Sequence, residues 1–414
     1  MTAEPTTRPA KVFYGVRLLS RREVDEDELP AWDELEARSI EPNVYLSPDF
    51  VLPAWDRLER GARIRLAVVE RHGAGPIHWV GLAVLRRCRA SMSVPWPHWE
   101  IHRFRHAVRG GVLLDARCAD DAAKALLYAL AGRAGWSGAA AFGHMLTEGV
   151  TRDIFARAAA ALGYHWTVTR SDGPRAEVVV PAPNPLATRR SQQIDRSRQR
   201  LNQQGSWSWH VDRSVEHPEA LNTFLRLDHQ DWRRELGLSF LSSAEDERFF
   251  RDMVRRLSAR GRVWMSELRF NGEPVAASCS LFSASGVGFA YRTGWVRSLG
   301  EPGVALVHEQ ALAEQACVEL GPLALWDNAA TGELLTDISW DNRVAYCDAV
   351  VTTGPVSRWL RAAAAGITRL LCWPMPGGAA ATSDAGADLH TLSDRDLLLH
   401  AGRRWRTWRM SEPN

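Results

Sequence analysis

From Trp207 onward the apolar and polar positions recur in a pattern that can be read element by element. Ser206 to Val211 alternates as a short strand, following an arginine-rich stretch, 188–204, that reads as a helix. Residues 217–234 place Ala220, Phe224, Leu227 and Trp232 at near-helical spacing behind Pro218. A second helix over 243–260 starts at Ser243 and presents Phe249, Phe250, Val254 and Leu257 on one face. Three strands follow: Arg262 to Arg269, Pro274 to Phe282, and Val287 to Val296. The first two are joined by Asn271-Gly272, the pair that a two-residue hairpin turn favours because both of its positions take φ > 0. A glycine-containing loop, Arg297 to Gly303, leads to a helix at 304–320. A short apolar strand at 323–327 and a last strand near Tyr346 to Val351 complete the series.

The first half repeats this order more faintly. It has a strand at 12–18, helices near 25–38 and 47–60, strands at 63–70 and 77–86, a poorly defined stretch, a helix at 119–135 and a strand at 138–143. Two similar orders in one chain suggest a duplicated fold. The expected division is a disordered N-terminus over 1–11, a first domain over 12–180, a linker over 181–187 containing Pro181-Ala182-Pro183-Asn184-Pro185, and a second domain over 188–373. A flexible linker over 374–388 then leads to a C-terminal helix and tail over 389–414.

Composition narrows the classes. A chain of 414 residues exceeds what one core usually supports, and its 45% hydrophobic and 24% charged content is globular. No run approaches the roughly 18 apolar residues of a membrane span, because the Ala-rich segment 122–142 is broken by Lys124 and Arg133. The stretch Met1 to Lys11 has no apolar block of a signal peptide, so a cytoplasmic protein without membrane partners is expected. Cys88, Cys118, Cys279, Cys317, Cys347 and Cys372 form no CxxC pair, which points away from metal and disulfide chemistry. A formal charge of +2 argues against a bulk nucleic-acid binder.

The order β-α-α-β-β-β-α-β is the order of the GNAT acyltransferases, and the residues of the second half resemble the CelD/BcsL cellulose-biosynthesis type, itself similar to FemABX-type peptidyltransferases. That family opens its second half with a serine and an arginine-rich helix, here Ser191 with Arg196, Arg198 and Arg200. It continues with Leu, His and Trp, here Leu227, His229 and Trp232 with a one-residue difference in spacing. Its later segment of Asp, Gly, Tyr-Lys and Trp matches at Asp327, Gly332 and Trp340, and Ser47-Pro48-Asp49-Phe50 is similar to its early helix start. At the Tyr-Lys positions this sequence has Thr336-Asp337, so a cation has become an anion, which suits an ammonium-bearing acceptor. The resemblance implies an α/β fold of tandem GNAT-like domains, each a mixed, mostly antiparallel sheet flanked by helices. It also implies N-acylation of a primary amine on a small molecule, sugar or peptide, in natural-product or exopolysaccharide synthesis. The alternatives are a FemABX-like transferase using aminoacyl-tRNA and a non-catalytic GNAT-like scaffold.

On that reading the donor is acyl-CoA or an acyl-phosphopantetheine carrier protein, held mostly by backbone. Its pantetheine arm would fill a splay between strands 287–296 and 323–327, and its diphosphate would rest on the N-terminus of the next helix. Arg297, Gly300, Gly303, Val304 and Ala305 are the candidate binding positions, although a tight connection with two glycines is also common. Glu301 is an odd neighbour for a diphosphate; it either faces solvent or marks a donor lacking that group. For deprotonating the amine the candidates are Asp337, His229 and Asp327, each with a structural alternative: a helix cap, a satisfied histidine, a turn cap. The arginine-rich helix is either a solvated face or a holder of diphosphate or of an acidic carrier protein. The first half has no comparable glycine loop before residue 119, which leaves the donor site to the second half.

Overall fold

The structure is a computed structural model that describes residues 12–354 apart from 60–63, 74, 92, 133–137, 172–174, 180–190, 214–217, 231, 297–302, 321–324 and 329–341. Local signals set most of its elements. In the first half these are β1 (Phe13–Leu19), α1 (Leu29–Arg38), α2 (Pro48–Arg57), β2 (Ile64–His72), β3 (His78–Cys88), β4 (His98–Ile101), β5 (Leu113–Leu114), α3 (Ala119–Leu130), β6 (Ala139–Leu146), α4 (Val150–Ala161) and β7 (His165–Ser171). Helix α2 begins where Ser47 Oγ accepts the Phe50 N–H at 3.2 Å, with Pro48 in its first turn.

The first half ends with β8 (Arg175–Val179), and the second half is built from α5 (Ser191–Gln204), β9 (Trp207–Asp212), α6 (Pro218–Asp228), α7 (Trp232–Glu235), α8 (Ala244–Ser258), β10 (Val263–Phe270), β11 (Glu273–Phe282), β12 (Gly288–Trp295), α9 (Gly303–Glu319), β13 (Leu325–Asn328), β14 (Asn342–Val344) and β15 (Tyr346–Thr352). Ser243 caps α8, accepting the Asp246 N–H at 3.1 Å, and three acids follow in its first turn, where the helix dipole favours them. The hairpin β10–β11 turns at Asn271 and Gly272, with φ of 50° and 84°, as the sequence anticipates. The single helix expected over 217–234 is instead two. Helix α6 ends at Asp228, whose carboxylate accepts the Phe240 N–H at 2.9 Å, and the chain reverses through Gly237 at φ 67°.

Two mixed, mostly antiparallel sheets result, both flanked by helices. Their orders are β1-β2-β3-β4-β6-β15-β7 and β9-β10-β11-β12-β13-β8-β14, with β5 pairing β3. Read this way the orders are equivalent position by position, and the sixth strand of each sheet comes from the other half of the chain. β15, read from sequence as the end of the second half, pairs with β6 and β7 of the first sheet; β8 pairs with β13 and β14 of the second. Neither sheet is complete without its neighbour's chain.

Packing follows the same plan. One core cluster runs from Trp32, Tyr45 and Phe50 of the first half to Phe240, Phe249 and Tyr291 of the second. Tyr45 meets Phe289 edge-on at 5.5 Å between ring centroids, and Phe50 meets Phe249 at 5.4 Å. Glu36 of α1 is fully buried and accepts from the Arg262 guanidinium and from the Ala284 N–H at 3.0 Å, so a charge pair crosses the same seam. All described residues fall in one compact unit, Met1–Leu370; the expected linker and helix after 373 lie outside them. No helix among the described residues is long and apolar enough to cross a membrane.

Candidate active site

Strand β12 carries an irregularity on which the site depends. Its register with β11 shifts so that Arg292 faces Cys279 and Ala290 faces Ser280, leaving Tyr291 as an extra residue. A bulge of this kind bends the strand and changes the phase of its side chains. Ala290 lies in the cluster under α9, and Thr293 bonds to α9. Tyr291 and Arg292 both turn to the opposite face, toward Phe240. The parallel neighbour β13, expected from sequence, pairs with β12 only over Gly288, Phe289 and Ala290. Among the described residues the pairing of β13 with β12 ends at Ala290, beside the bulge, and α9 starts at Gly303.

The corresponding place in the first sheet is closed. There β4 pairs in parallel with β6 over Trp99, Glu100 and Ile101, and the following segment turns back into the gap. Phe104, Ala107 and Val112 are buried, and the Gly110 N–H donates to the His144 carbonyl at 3.0 Å. A Cβ on Gly110 would strike the Gly143 carbonyl oxygen, so this glycine is fixed by close approach.

On the front of β12, α6 comes to rest on Gly294. A Cβ there would stand 2.5 Å from the Asp228 nitrogen and 2.7 Å from the Leu227 carbonyl carbon. Gly294→Ala is expected to lower stability by about 1–3 kcal/mol, because backbone on both sides must move apart; a urea unfolding midpoint equal to that of the parent chain would refute it. Around this contact Arg292 is held by several groups. Nη1 donates to the Leu238 carbonyl at 3.1 Å and lies 3.6 Å from Asp228, and the guanidinium carbon sits 4.1 Å from the Phe240 ring centroid. Its Nη2 donates to His106 Nδ1 at 3.4 Å, while His106 Nε2 donates to Asp246 at 2.8 Å. Burial first, then the neighbouring Arg292 and Arg105 charges, outweigh the Asp246 hydrogen bond and push the His106 pKa down to about 4, so the imidazole stays neutral.

His229 follows Asp228 directly, at the end of α6 that touches β12. It is half-buried, with Nδ1 2.7 Å from Ser239 Oγ, which in turn lies 2.9 Å from Ser242 Oγ. Asp327 sits on β13 with its backbone paired to Phe289 and Glu177. Asp337 lies outside the described residues, as do Arg297 and Gly300. Gly303 opens α9 against α5, where a Cβ would be 2.9 Å from Ser197 Oγ. Val304 and Ala305 are 3% exposed and pack with Leu201, Leu268 and Trp295, so only their backbone is left to meet a ligand. The arginine-rich helix is α5, and its Arg198 pairs with Glu314 of α9 at 3.2 Å. Tyr291, Arg292, His106 and Glu309 were not singled out from the sequence. Among the described residues no group of three or more His, Cys, Asp or Glu could hold a metal ion.

The bulged strand β12 and the start of α9 are the elements that could meet a thioester donor: strand backbone can hydrogen-bond to an amide-bearing arm, and the N–H groups of a helix's first turn favour an anion.

Residues 188–322 match the family model for the acetyltransferase (GNAT) domain. No curated protein matches the chain. Among solved structures, a tandem GNAT protein from the clavulanic acid biosynthesis pathway is 13% identical, with 83% of this chain and 99% of that one covered and a TM-score of 0.43. FemX is 11% identical, over 84% and 99%, with a TM-score of 0.46. The C-terminal domain of a lysylphosphatidylglycerol synthetase from Agrobacterium fabrum, itself described as putative, is 10% identical over 84% and 97%, with a TM-score of 0.47. The chain carries a GNAT domain and is an enzyme of the acyltransferase class.

Proposed function

We propose that the protein transfers an acyl group from a CoA or carrier-protein thioester to a primary amine, using the second half as donor site. One observation carries this reading: among the described residues β13 pairs with β12 only up to Ala290, beside the Tyr291 bulge, and α9 opens at Gly303, while the equivalent place in the first sheet is filled by its own chain. In the reaction the amine nitrogen attacks the thioester carbonyl carbon. The nitrogen loses a proton, the C–S bond breaks, and the thiol leaves with a proton. Holding amine and thioester together supplies much of the rate. His229 takes the proton in this scheme, because it stands where α6 meets β12, and Asp337 holds the incoming ammonium. The likeness of Leu227, His229, Asp327, Gly332 and Trp340 to the CelD/BcsL type favours an acceptor from exopolysaccharide or natural-product synthesis.

Thermal unfolding with CoA and acetyl-CoA tests the donor. A ligand at 100 times its Kd adds about 2.7 kcal/mol, a Tm rise of roughly 3 °C for a chain of this size. The absence of any shift with either ligand would reject a CoA donor. Competition by tRNA would move the reading to the aminoacyl-tRNA class.

A further inference from the structure

His229 Nδ1 lies 2.7 Å from Ser239 Oγ, so the direction of the imidazole depends on where two pieces of chain stand. One is the end of α6, which carries the histidine, and the other is residues 238–240, which carry its partner. Arg292 of β12 joins them. Its Nη1 donates to the carbonyl of Leu238, which precedes Ser239, and lies 3.6 Å from the carboxylate of Asp228, which precedes His229. The guanidinium carbon rests 4.1 Å from the ring centroid of Phe240, whose N–H donates to that same carboxylate at 2.9 Å. A guanidinium presents its donors in a rigid plane, so one side chain can fix both pieces at once.

What holds Arg292 comes from the first half. His106 accepts from Arg292 Nη2 at 3.4 Å, and its ring packs 4.8 Å from that of Phe240 and stacks on Phe249 of α8. Its Nε2 donates at 2.8 Å to Asp246 in the first turn of α8, and Asp246 accepts in turn from Ser243 and Arg105. His106 is buried, and it belongs to the segment after β4 that fills the first sheet. The chain that closes that place in one half therefore touches the bulged strand of the other. With Tyr291 as the extra residue, the bulge brings Arg292 to the face where His106 and Phe240 stand.

We propose that Arg292 is a positioning residue for His229, and that His106, supplied by the first half, holds Arg292 in that role. The inference rests on the reading of His229 as the base. It gives the first half a part in a reaction whose donor and base are assigned to the second.

Long-range nitrogen–proton correlation spectra of histidine-labelled protein at pH 8 test it, because they show which ring nitrogen carries the proton. His229→Gln identifies the His229 signals by their loss. In the parent chain His229 should be protonated on Nδ1, the tautomer that a Ser239 acceptor selects. Arg292→Met should lose this single form and show a mixture of both tautomers. The signals of His308, held between Ser266 and Ser278 on the opposite face of the sheet, should stay unchanged. His106→Leu should change His229 in the same way. His106→Asn, whose Oδ1 can accept from Arg292 in place of Nδ1, should keep the parent pattern. If Arg292→Met does not fold, the two His106 variants carry the test. The same Nδ1–H signal in the parent, Arg292→Met and His106→Leu would overturn this inference alone. A change in Arg292→Met that His106→Leu does not share, or that His106→Asn does not avert, would overturn the part given to His106. A parent His229 protonated on Nε2 could not take the proton of the amine, and would overturn the base reading and this inference with it.

Discussion

Arg262→Met is expected to destabilise the protein by about 3–5 kcal/mol at pH 8, the usual cost of removing one partner from a buried ion pair. Arg262 donates to Glu36 and, through Nε, to the Phe282 carbonyl at 2.7 Å. Methionine matches its stem and does neither, leaving a carboxylate that is 0% exposed without its cation. Burial, outweighing Arg262, already raises the Glu36 pKa, and the variant would raise it further. The sign of the pH effect follows. Where the folded-state pKa of a carboxyl lies above its unfolded value, the native protein binds more protons, so stability is lost as pH rises through that window. The gap between parent and variant should therefore narrow from pH 8 to pH 5. Glu36→Leu combined with Arg262→Met should recover much of the loss, since no charge is left stranded. Urea unfolding measures all three proteins. A cost below about 1 kcal/mol at pH 8 would show that the pair does not hold the two halves together.

That pair also explains what could be read in advance. The β10–β11 hairpin was legible because Asn271-Gly272 encodes its own turn, and α8 because Ser243 and three following acids encode its start. The parallel pairing of β12 and β13 followed from their order. The exchange of β8 and β15 did not, since each strand carries only its own alternation and nothing local says which sheet it joins. Helix α4 and strand β7 were missed within the fainter first half.

The site divides in the same way. His229 was singled out through its spacing to Leu227 and Trp232, and it directly follows Asp228, whose backbone lies against Gly294 of β12. Arg292 was missed because its direction depends on a bulge at Tyr291 that no glycine or proline announces. His106 was not singled out, yet it reaches across the seam to Arg292 and Asp246. Glu309 did leave a signal: with His308 and Gln310 it interrupts an apolar run that spans Val304 to Val307 and resumes at Ala311 and Leu312. An acid in such a run is either paired or perturbed.

His229→Gln is expected to lower amine acylation by about 10²-fold, the scale of a lost general base, while CoA affinity and unfolding midpoint stay near those of the parent chain. When Ser239 donates to Ser242, its oxygen accepts the His229 Nδ1 proton, and the Nε2 lone pair is free to receive the proton of the acceptor amine. Glutamine can still bond to Ser239 and hold the end of α6, but its amide has no useful basicity. A purely structural histidine predicts the reverse: retained turnover in the glutamine variant and lowered stability when the side chain is cut back to alanine. The companion variant, Asp337→Asn, separates the two steps. If Asp337 holds the ammonium, its loss should raise KM for the amine more than it lowers kcat, whereas His229→Gln should act on kcat. Full turnover in His229→Gln across a pH series, with Asp337→Asn inactive, would transfer the role of base to Asp337.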